Sequence, residues 1–136
     1  MQLKTGTLKD AFFIGMDWKY KLVYKACEKA EKADVKNAHY IRGKAQDLKE
    51  MFGKAEIDEV WYFFPDPWPK PSQQKHRLFQ EPFLKDLDLV LKPGGRVYIK
   101  TDHPGYFEWM QALLGQELSI DSTYTEAMLQ ENSQRN

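Results

Sequence analysis

Residues 60–70 have the sequence VWYFFPDPWPK, in which an apolar run passes directly into three prolines that surround one carboxylate. The apolar run predicts a buried β-strand over 60–64. Because proline fixes φ and has no backbone donor, the segment that follows cannot extend a sheet and is expected to form a stiff loop. The loop holds Asp66, Trp68 and Lys70 at the carboxyl end of a strand, which is the edge where open α/β sheets bind ligands.

The three side chains of this loop suit a particular kind of substrate. A carboxylate, an aromatic ring and an ammonium group, held rigidly together, match a flat molecule that forms hydrogen bonds and has an anionic group. The sequence therefore predicts a nucleotide site. The alternative interpretation is structural, with a proline-rich turn in which Trp68 covers the core.

Predicted strands and helices alternate along the rest of the chain. The strands fall at 11–16, 38–42, 60–64 and 97–99, and the helices at 18–33, 46–52, 78–91 and 106–114. The helices have apolar residues at spacings of three and four. The single cysteine, Cys27, falls on the apolar side of the first helix and is expected to fill the core. Gly94 and Gly95 are expected to end the third helix with a left-handed cap.

This alternation predicts an α/β fold with a mostly parallel sheet and crossover helices. An aspartate follows three of the predicted strands, at Asp17, Asp66 and Asp102. In one parallel sheet the carboxyl ends of the strands share an edge, so the three carboxylates are expected to converge there. The alternative is that each is an unrelated turn aspartate.

The composition limits the classes of protein to which the chain can belong. With 136 residues, 42% of them apolar, it is expected to form one domain. The sequence contains no run of about 20 apolar residues and no recognisable leader, so neither a membrane span nor a targeting segment is expected. The single cysteine excludes an internal disulfide, and the three scattered histidines show no metal-binding spacing. A reducing cytoplasm is the expected location, and no metal is expected.

The formal net charge is zero, which argues against a general polyanion binder. The charge is nevertheless unevenly distributed, since Lys70, Lys75, His76 and Arg77 follow the proline-rich loop closely. Such a local patch is sufficient for contacts with phosphates. The alternative is a solvated surface cluster.

Several stretches together resemble the bacterial tRNA (guanine(46)-N7)-methyltransferase family. In chain order they are FFPDPWPK at 63–70, KHR at 75–77, LKPGG at 91–95, and TD at 101–102 with Tyr106. The resemblance extends from about Phe12 to Met110. It implies a Rossmann-like methyltransferase fold, S-adenosylmethionine as the cofactor and tRNA as the partner, with methyl transfer to guanine N7 at variable-loop position 46.

The resemblance also implies which residues contact the cofactor. Asp66 falls on the active-site carboxylate, near both the cofactor and the guanine. Asp17 falls where an acidic residue holds the ribose hydroxyls. Lys44 and Ala45 lie in the stretch that contacts the adenine, although Lys44 replaces an acidic or amide residue that is usual in the family.

A second group of residues is expected to contact the tRNA. By resemblance, Lys70 and Asp102 fall on substrate-contacting positions. Trp68 offers a face on which a base that has left its stack can lie. Lys75 and Arg77 can hold flanking phosphates.

The sequence departs from this family at both ends. The family has a glycine-rich loop before the strand that matches 11–16, and Thr5-Gly6-Thr7 is not such a loop. The later Thr-x-Phe-Glu motif of the family has no match either. We therefore expect a single partial domain over 1–136, a truncated version of the fold whose tail from about 116 is poorly defined.

A shortened sheet needs an arrangement that leaves no central edge unpaired. The simplest strand order is 38–42, 11–16, 60–64, 97–101, and the alternative is completion by a second copy of the chain or by a complementing partner. Two functions therefore stay open. One is an active methyltransferase, and the other is a weak or inactive remnant that binds RNA or a protein partner.

Overall fold

In a computed structural model, which describes residues 10–117, strands and helices alternate as the sequence predicts. The strands are β1 (Phe13–Asp17), β2 (Ala38–Arg42), β3 (Ile57–Phe63) and β4 (Leu91–Lys100). The helices are α1 (Tyr20–Lys32), α2 (Leu48–Met51), α3 (Glu81–Val90) and α4 (Pro104–Glu117), and two 3₁₀ turns lie at Ala45–Asp47 and Pro71–His76. The predicted tail from about 116 lies almost wholly outside the described residues.

The four strands form two parallel pairs. β1 pairs with β2 from Phe13 opposite Ala38 to Asp17 opposite Arg42. β3 pairs with β4, and its last pair joins Phe63 and Lys100. The predicted α/β class with parallel strands is thus confirmed.

The predicted single sheet is wrong within the described part of the chain, because β1 and β3 do not pair. Side chains join the two pairs instead of a hydrogen-bond ladder. Met16, Ala45 and Phe52 pack against the same core cluster as residues of β3 and β4. Hydrophobic periodicity identifies a strand but not the edge at which it pairs, which is why this prediction failed.

The core lies between α3, α4 and one face of the β3–β4 pair. Its buried members are Leu48, Phe79, Phe83, Leu84, Leu87, Val90, Tyr106 and Met110. On the opposite face of the pair, Trp61 and Tyr98 are 48% and 36% exposed, with their ring centroids 4.7 Å apart. Within residues 10–117, the β3–β4 pair is therefore covered on one side only.

Helix α1 does not bury the side that its sequence pattern predicts. None of its residues is buried, and Cys27 is exposed, so the expectation that this thiol fills the core is wrong. The helix packs against β1 and β2. A two-stranded pair offers too little surface to cover a helix of 13 residues.

The connection from α3 to β4 also differs in detail. The helix ends at Val90, and Leu91 is already extended, so the glycines do not form a helix cap. They lie in an irregularity of β4 opposite Asp58, where Gly94 has φ +77°. No helix within residues 10–117 is long and apolar enough to cross a membrane.

Candidate active site at the proline-rich loop

The loop after β3 is held to the rest of the protein at three successive points. The backbone N–H of Phe64 donates to the carbonyl oxygen of Lys100 at 2.7 Å, which extends the strand pairing by one residue. Pro65 is buried. The carbonyl oxygen of Pro67 accepts a hydrogen bond from Nε of Arg77 at 2.8 Å. Asp66 therefore lies between two fixed residues, and its side chain is exposed.

The loop backbone is strained on both sides of Asp66. Phe64 has φ +51° and Trp68 has φ +44°, a left-handed conformation that bulky residues rarely adopt. Such residues persist only where the surrounding structure enforces them, and they are concentrated at functional sites. The strain is consistent with the stiff, preset loop that the prolines predict.

The charge of Asp66 acts on the polar groups of the core beneath it. Burial raises the pKa of Tyr62 above its ordinary value, and the nearby Tyr106 and Asp66 raise it further. The pKa of Tyr106 is also raised, chiefly by burial and in a smaller part by Asp66. Burial is thus the main cause for both tyrosines, and the negative charge of the exposed Asp66 adds a smaller contribution.

The other predicted site residues of the loop follow Asp66 closely in the chain. The ring of Trp68 is half-buried, and its centroid lies 5.1 Å from that of His76. Lys70 is exposed and directly precedes the 3₁₀ turn Pro71–His76. Lys75 lies in that turn and is also exposed. The segment therefore presents one aromatic pair, Trp68 and His76, and two exposed ammonium groups.

Arg77 does not fit the phosphate contact that was predicted for it. Its side chain is only 4% exposed. The guanidinium carbon lies 5.0 Å from the ring centroid of Tyr106 and 4.9 Å from that of Trp109. Because the group is packed against two rings and bonded to the loop, little of its surface can reach a phosphate.

Asp102 lies near the same edge as Asp66. The two residues follow Lys100 and Phe63, which are paired at the ends of β4 and β3. Asp102 is exposed, and next to it His103 caps α4, since its Nδ1 accepts a hydrogen bond from the backbone N–H of Tyr106 at 3.0 Å. The register thus brings Asp66 and Asp102 to one end of the β3–β4 pair.

Asp17 ends the other strand pair, so the predicted convergence of three aspartates in one sheet is not observed. Its Oδ1 accepts from the backbone N–H of Lys19 at 2.7 Å, and its carbonyl oxygen accepts from Gly43 at 3.2 Å. The side chain of Asp17 is partly exposed, and within residues 10–117 its Oδ2 accepts no hydrogen bond.

The predicted adenine-contacting residues lie beside Asp17. Arg42 and Lys44 each place their cationic group 4.5 Å from the ring centroid of Trp18. Ala45 begins the 3₁₀ turn that follows β2. The structure therefore groups Asp17, Lys44 and Ala45 at the end of the β1–β2 pair.

The sequence interpretation missed three residues that support this site. Tyr106 and Trp109 enclose Arg77, and His103 caps the helix on which both lie. The cap was not evident from the sequence, because the predicted helix begins at Tyr106 and histidine is not among the residues that usually cap a helix. Among residues 10–117, no three or more histidine, cysteine or acidic side chains are grouped as metal ligands would be.

Comparison with known proteins identifies the family. The family described as "Putative methyltransferase" matches residues 7–136. A bifunctional glycosyltransferase/methyltransferase of Fusobacterium nucleatum subsp. nucleatum is 36% identical over 95 residues, which are 70% of this chain. The chain spans only 14% of the length of that relative. Since the family match covers almost the whole sequence, the chain belongs to this methyltransferase family.

Proposed function

We propose that this chain transfers a methyl group from S-adenosylmethionine to N7 of guanine in tRNA, at position 46 of the variable loop, in the cytoplasm. The observation that supports this most directly is the anchored loop. It presents one exposed carboxylate between two fixed residues, beside an aromatic pair and two ammonium groups. The family match supports methyl transfer, and the choice of guanine N7 in tRNA rests on the resemblance of the loop and the stretches after it to the tRNA (guanine(46)-N7)-methyltransferase family.

Methylation of guanine N7 makes modest chemical demands that this loop can meet. N7 has an in-plane lone pair and no proton, so the reaction needs alignment of the reacting atoms more than a strong base. The carboxylate of Asp66 can accept hydrogen bonds from N1–H and the amino group of guanine. Those bonds would orient the base and increase the electron density at N7.

The neighbouring side chains would hold the rest of the RNA. Trp68, already against His76, offers a stacking face for a base that has left the RNA stack. Lys70 and Lys75 can neutralise flanking phosphates. Asp102, at the same end of the β3–β4 pair, is a further candidate for contact with the substrate.

The residues at the end of the β1–β2 pair fit the adenosine part of S-adenosylmethionine. A carboxylate accepts hydrogen bonds from hydroxyls, and Asp17 is fixed by Lys19 through one oxygen while its side chain stays partly exposed. Lys44 and Ala45 would lie along the adenine. When bound, the cofactor supplies a methyl group activated by a sulfonium sulfur.

A second candidate is an RNA- or partner-binding module without methyl transfer. The exposed rings of Trp61 and Tyr98 favour it, because an aromatic surface of this kind is typical of an interface. A second copy of the chain or a complementing partner could cover that face.

A methylation assay with matched variants distinguishes the two. Unmodified tRNA and S-adenosylmethionine with a labelled methyl group are incubated with the chain, and the modified base is located by cleavage at N7-methylguanine. Asp66→Asn should lower the rate roughly 10- to 100-fold, since a hydrogen bond to a charged group contributes about 1.5–3 kcal/mol. The control Asp88→Asn, an exposed change on α3, should leave the rate unchanged.

Calorimetric titration with S-adenosylmethionine tests the cofactor site separately. Saturable heat that Asp17→Ala abolishes would support the enzyme. If no heat appears up to millimolar cofactor, the binding free energy is weaker than about 4 kcal/mol, and the enzyme proposal fails. Retained tRNA binding would then favour the binding module.

A further inference from the structure

Arg77 lies at the junction between the proline-rich loop and helix α4. Its Nε donates to the carbonyl oxygen of Pro67 at 2.8 Å, one residue after Asp66. The carbon of its planar guanidinium lies 5.0 Å from the ring centroid of Tyr106 and 4.9 Å from that of Trp109. Arginine suits such a place because its flat, weakly hydrated cation stacks on aromatic faces while its N–H groups stay available for hydrogen bonds.

The two rings that enclose Arg77 are themselves fixed by the backbone of one residue. The N–H of Phe79 donates to the hydroxyl oxygen of Tyr106 at 3.2 Å. Nε1 of Trp109 donates to the carbonyl oxygen of Phe79 at 2.9 Å. Tyr106 and Trp109 are three residues apart on α4, so they lie on the same side of the helix. Both polar groups of the Phe79 backbone are therefore satisfied by neighbouring side chains of α4.

These contacts form a continuous path from a helix to the candidate catalytic carboxylate. The helix fixes the rings, the rings fix the guanidinium, and the guanidinium fixes the carbonyl of Pro67. Because the preceding Pro65 is buried, Asp66 has a fixed neighbour on each side. A lost bond at Pro67 would leave the carboxylate held from one side only.

We propose that Arg77 is a positioning residue, which sets the place of Asp66 and Trp68 through the carbonyl of Pro67 and does not itself contact the substrate. The expected effect of Arg77 on the reaction rate rests on the proposed methyl transfer to tRNA. Its structural part concerns only the loop and can be tested without activity.

Fluorine NMR of the full chain labelled with 5-fluorotryptophan tests the structural part. The four tryptophans, 18, 61, 68 and 109, give four signals that single Trp→Phe variants assign. In Arg77→Lys, we expect the signals of Trp68 and Trp109 to shift or broaden, because lysine keeps the charge but lacks the planar donor. Unchanged signals of Trp18 and Trp61 would show that the variant is folded.

Arg42→Lys is the matched control for this measurement. Arg42 makes the same two kinds of contact elsewhere, since its Nε donates to the carbonyl oxygen of Trp18 at 3.1 Å and its guanidinium carbon lies 4.5 Å from that ring. This variant should move the signal of Trp18 and leave that of Trp68 in place. If Arg77→Lys leaves the Trp68 signal in place, the proposal is wrong.

tRNA binding at several salt concentrations distinguishes positioning from a phosphate contact. A residue that neutralises a phosphate in RNA lowers the salt slope by about 0.7–0.9 when its charge is removed, and a lysine largely replaces it. For a positioning residue, Arg77→Gln leaves the slope unchanged, and Arg77→Lys is as harmful to kcat as Arg77→Gln. We expect kcat to fall about tenfold or more, since small misplacements of reacting groups are costly.

The two arms separate failure of the proposal from failure of the methyl-transfer function. If the wild-type chain neither binds nor methylates tRNA, the function fails and the NMR result alone decides the role of Arg77. If the wild type is active, a reduced salt slope in Arg77→Gln with near-normal kcat in Arg77→Lys overturns the proposal.

Discussion

Replacing Tyr106 with phenylalanine removes a single oxygen atom from the core. The side chain is fully buried, and its hydroxyl oxygen accepts a hydrogen bond from the backbone N–H of Phe79, another fully buried residue. The aromatic ring is kept, so the main effect is the loss of the hydroxyl as a hydrogen-bond partner of the backbone at Phe79 and Leu78. The N–H of Phe79 is then left without that acceptor where water does not reach.

The expected loss follows from the geometry of that bond. A buried donor without an acceptor costs about 1–3 kcal/mol. The observed separation of 3.2 Å is longer than the usual value of about 2.9–3.0 Å, which places the loss in the lower part of this range. We therefore expect Tyr106→Phe to lower the free energy of unfolding by about 1–2 kcal/mol.

Urea unfolding followed by tryptophan fluorescence measures this loss. The midpoint should fall while the dependence on urea stays constant, because the exposed surface on unfolding hardly changes. Tyr98→Phe is the control, since Tyr98 lies on the uncovered face of the β3–β4 pair, and its effect should be within about 0.5 kcal/mol. A loss below 0.5 kcal/mol in Tyr106→Phe, or an equal loss in both variants, would refute the reasoning.

Two further predictions concern the same region. Folding raises the pKa of Tyr62, so the neutral hydroxyl contributes to the free energy of unfolding; this contribution is complete below pH 10, the ordinary pKa, and declines as the pH rises further. Tyr62→Phe should therefore reduce the loss of stability at alkaline pH, which urea unfolding between about pH 8 and 11 would measure. A pH profile identical to that of the wild type would contradict this. His103→Ala should lower the free energy of unfolding by about 1 kcal/mol, because the α4 cap is lost. His103→Asn should retain most of the stability, since asparagine can also cap a helix. Equal losses for the two variants in urea unfolding would argue against a capping role.

The sequence was sufficient where one local pattern decides the outcome. The apolar spacing of the third helix predicts an inward-facing set of five residues, and four of them, Phe83, Leu84, Leu87 and Val90, are buried on α3. The fifth, Leu91, is half-buried and begins β4. The three prolines correctly indicated that the strand ends and a loop follows. In both cases the cause acts within a few residues, through helical periodicity or through the ring of proline.

Where distant segments decide, the sequence was misleading. Arg77 stands in a basic run and therefore looked like a surface residue, but its burial depends on Tyr106 and Trp109, which lie about 30 positions later in the chain. Cys27 lies on the apolar side of its helix, yet the strand pair beside it covers that side only in part and leaves the thiol exposed. Neither outcome can be read from periodicity, because both depend on which surfaces meet.

The strain in the proline-rich loop suggests how its shape is maintained before any substrate arrives. Left-handed backbone at Phe64 and Trp68 costs roughly 1–3 kcal/mol at each residue. The hydrogen bonds of Phe64 and Pro67 contribute similar amounts, about 0.5–3 kcal/mol each, the latter being to a charged donor. Proline at compatible positions adds about 0.4–1 kcal/mol by restricting the unfolded chain.

These opposing contributions are comparable in size, so no single contact exceeds the strain by a wide margin. The loop keeps its shape only because its anchors act together, and loss of one should let the left-handed residues relax. A reaction that depends on alignment gains from such a loop, since the ordering cost is met during folding and not when the base binds. The anchors of the loop are therefore as necessary to the proposed chemistry as the carboxylate they position.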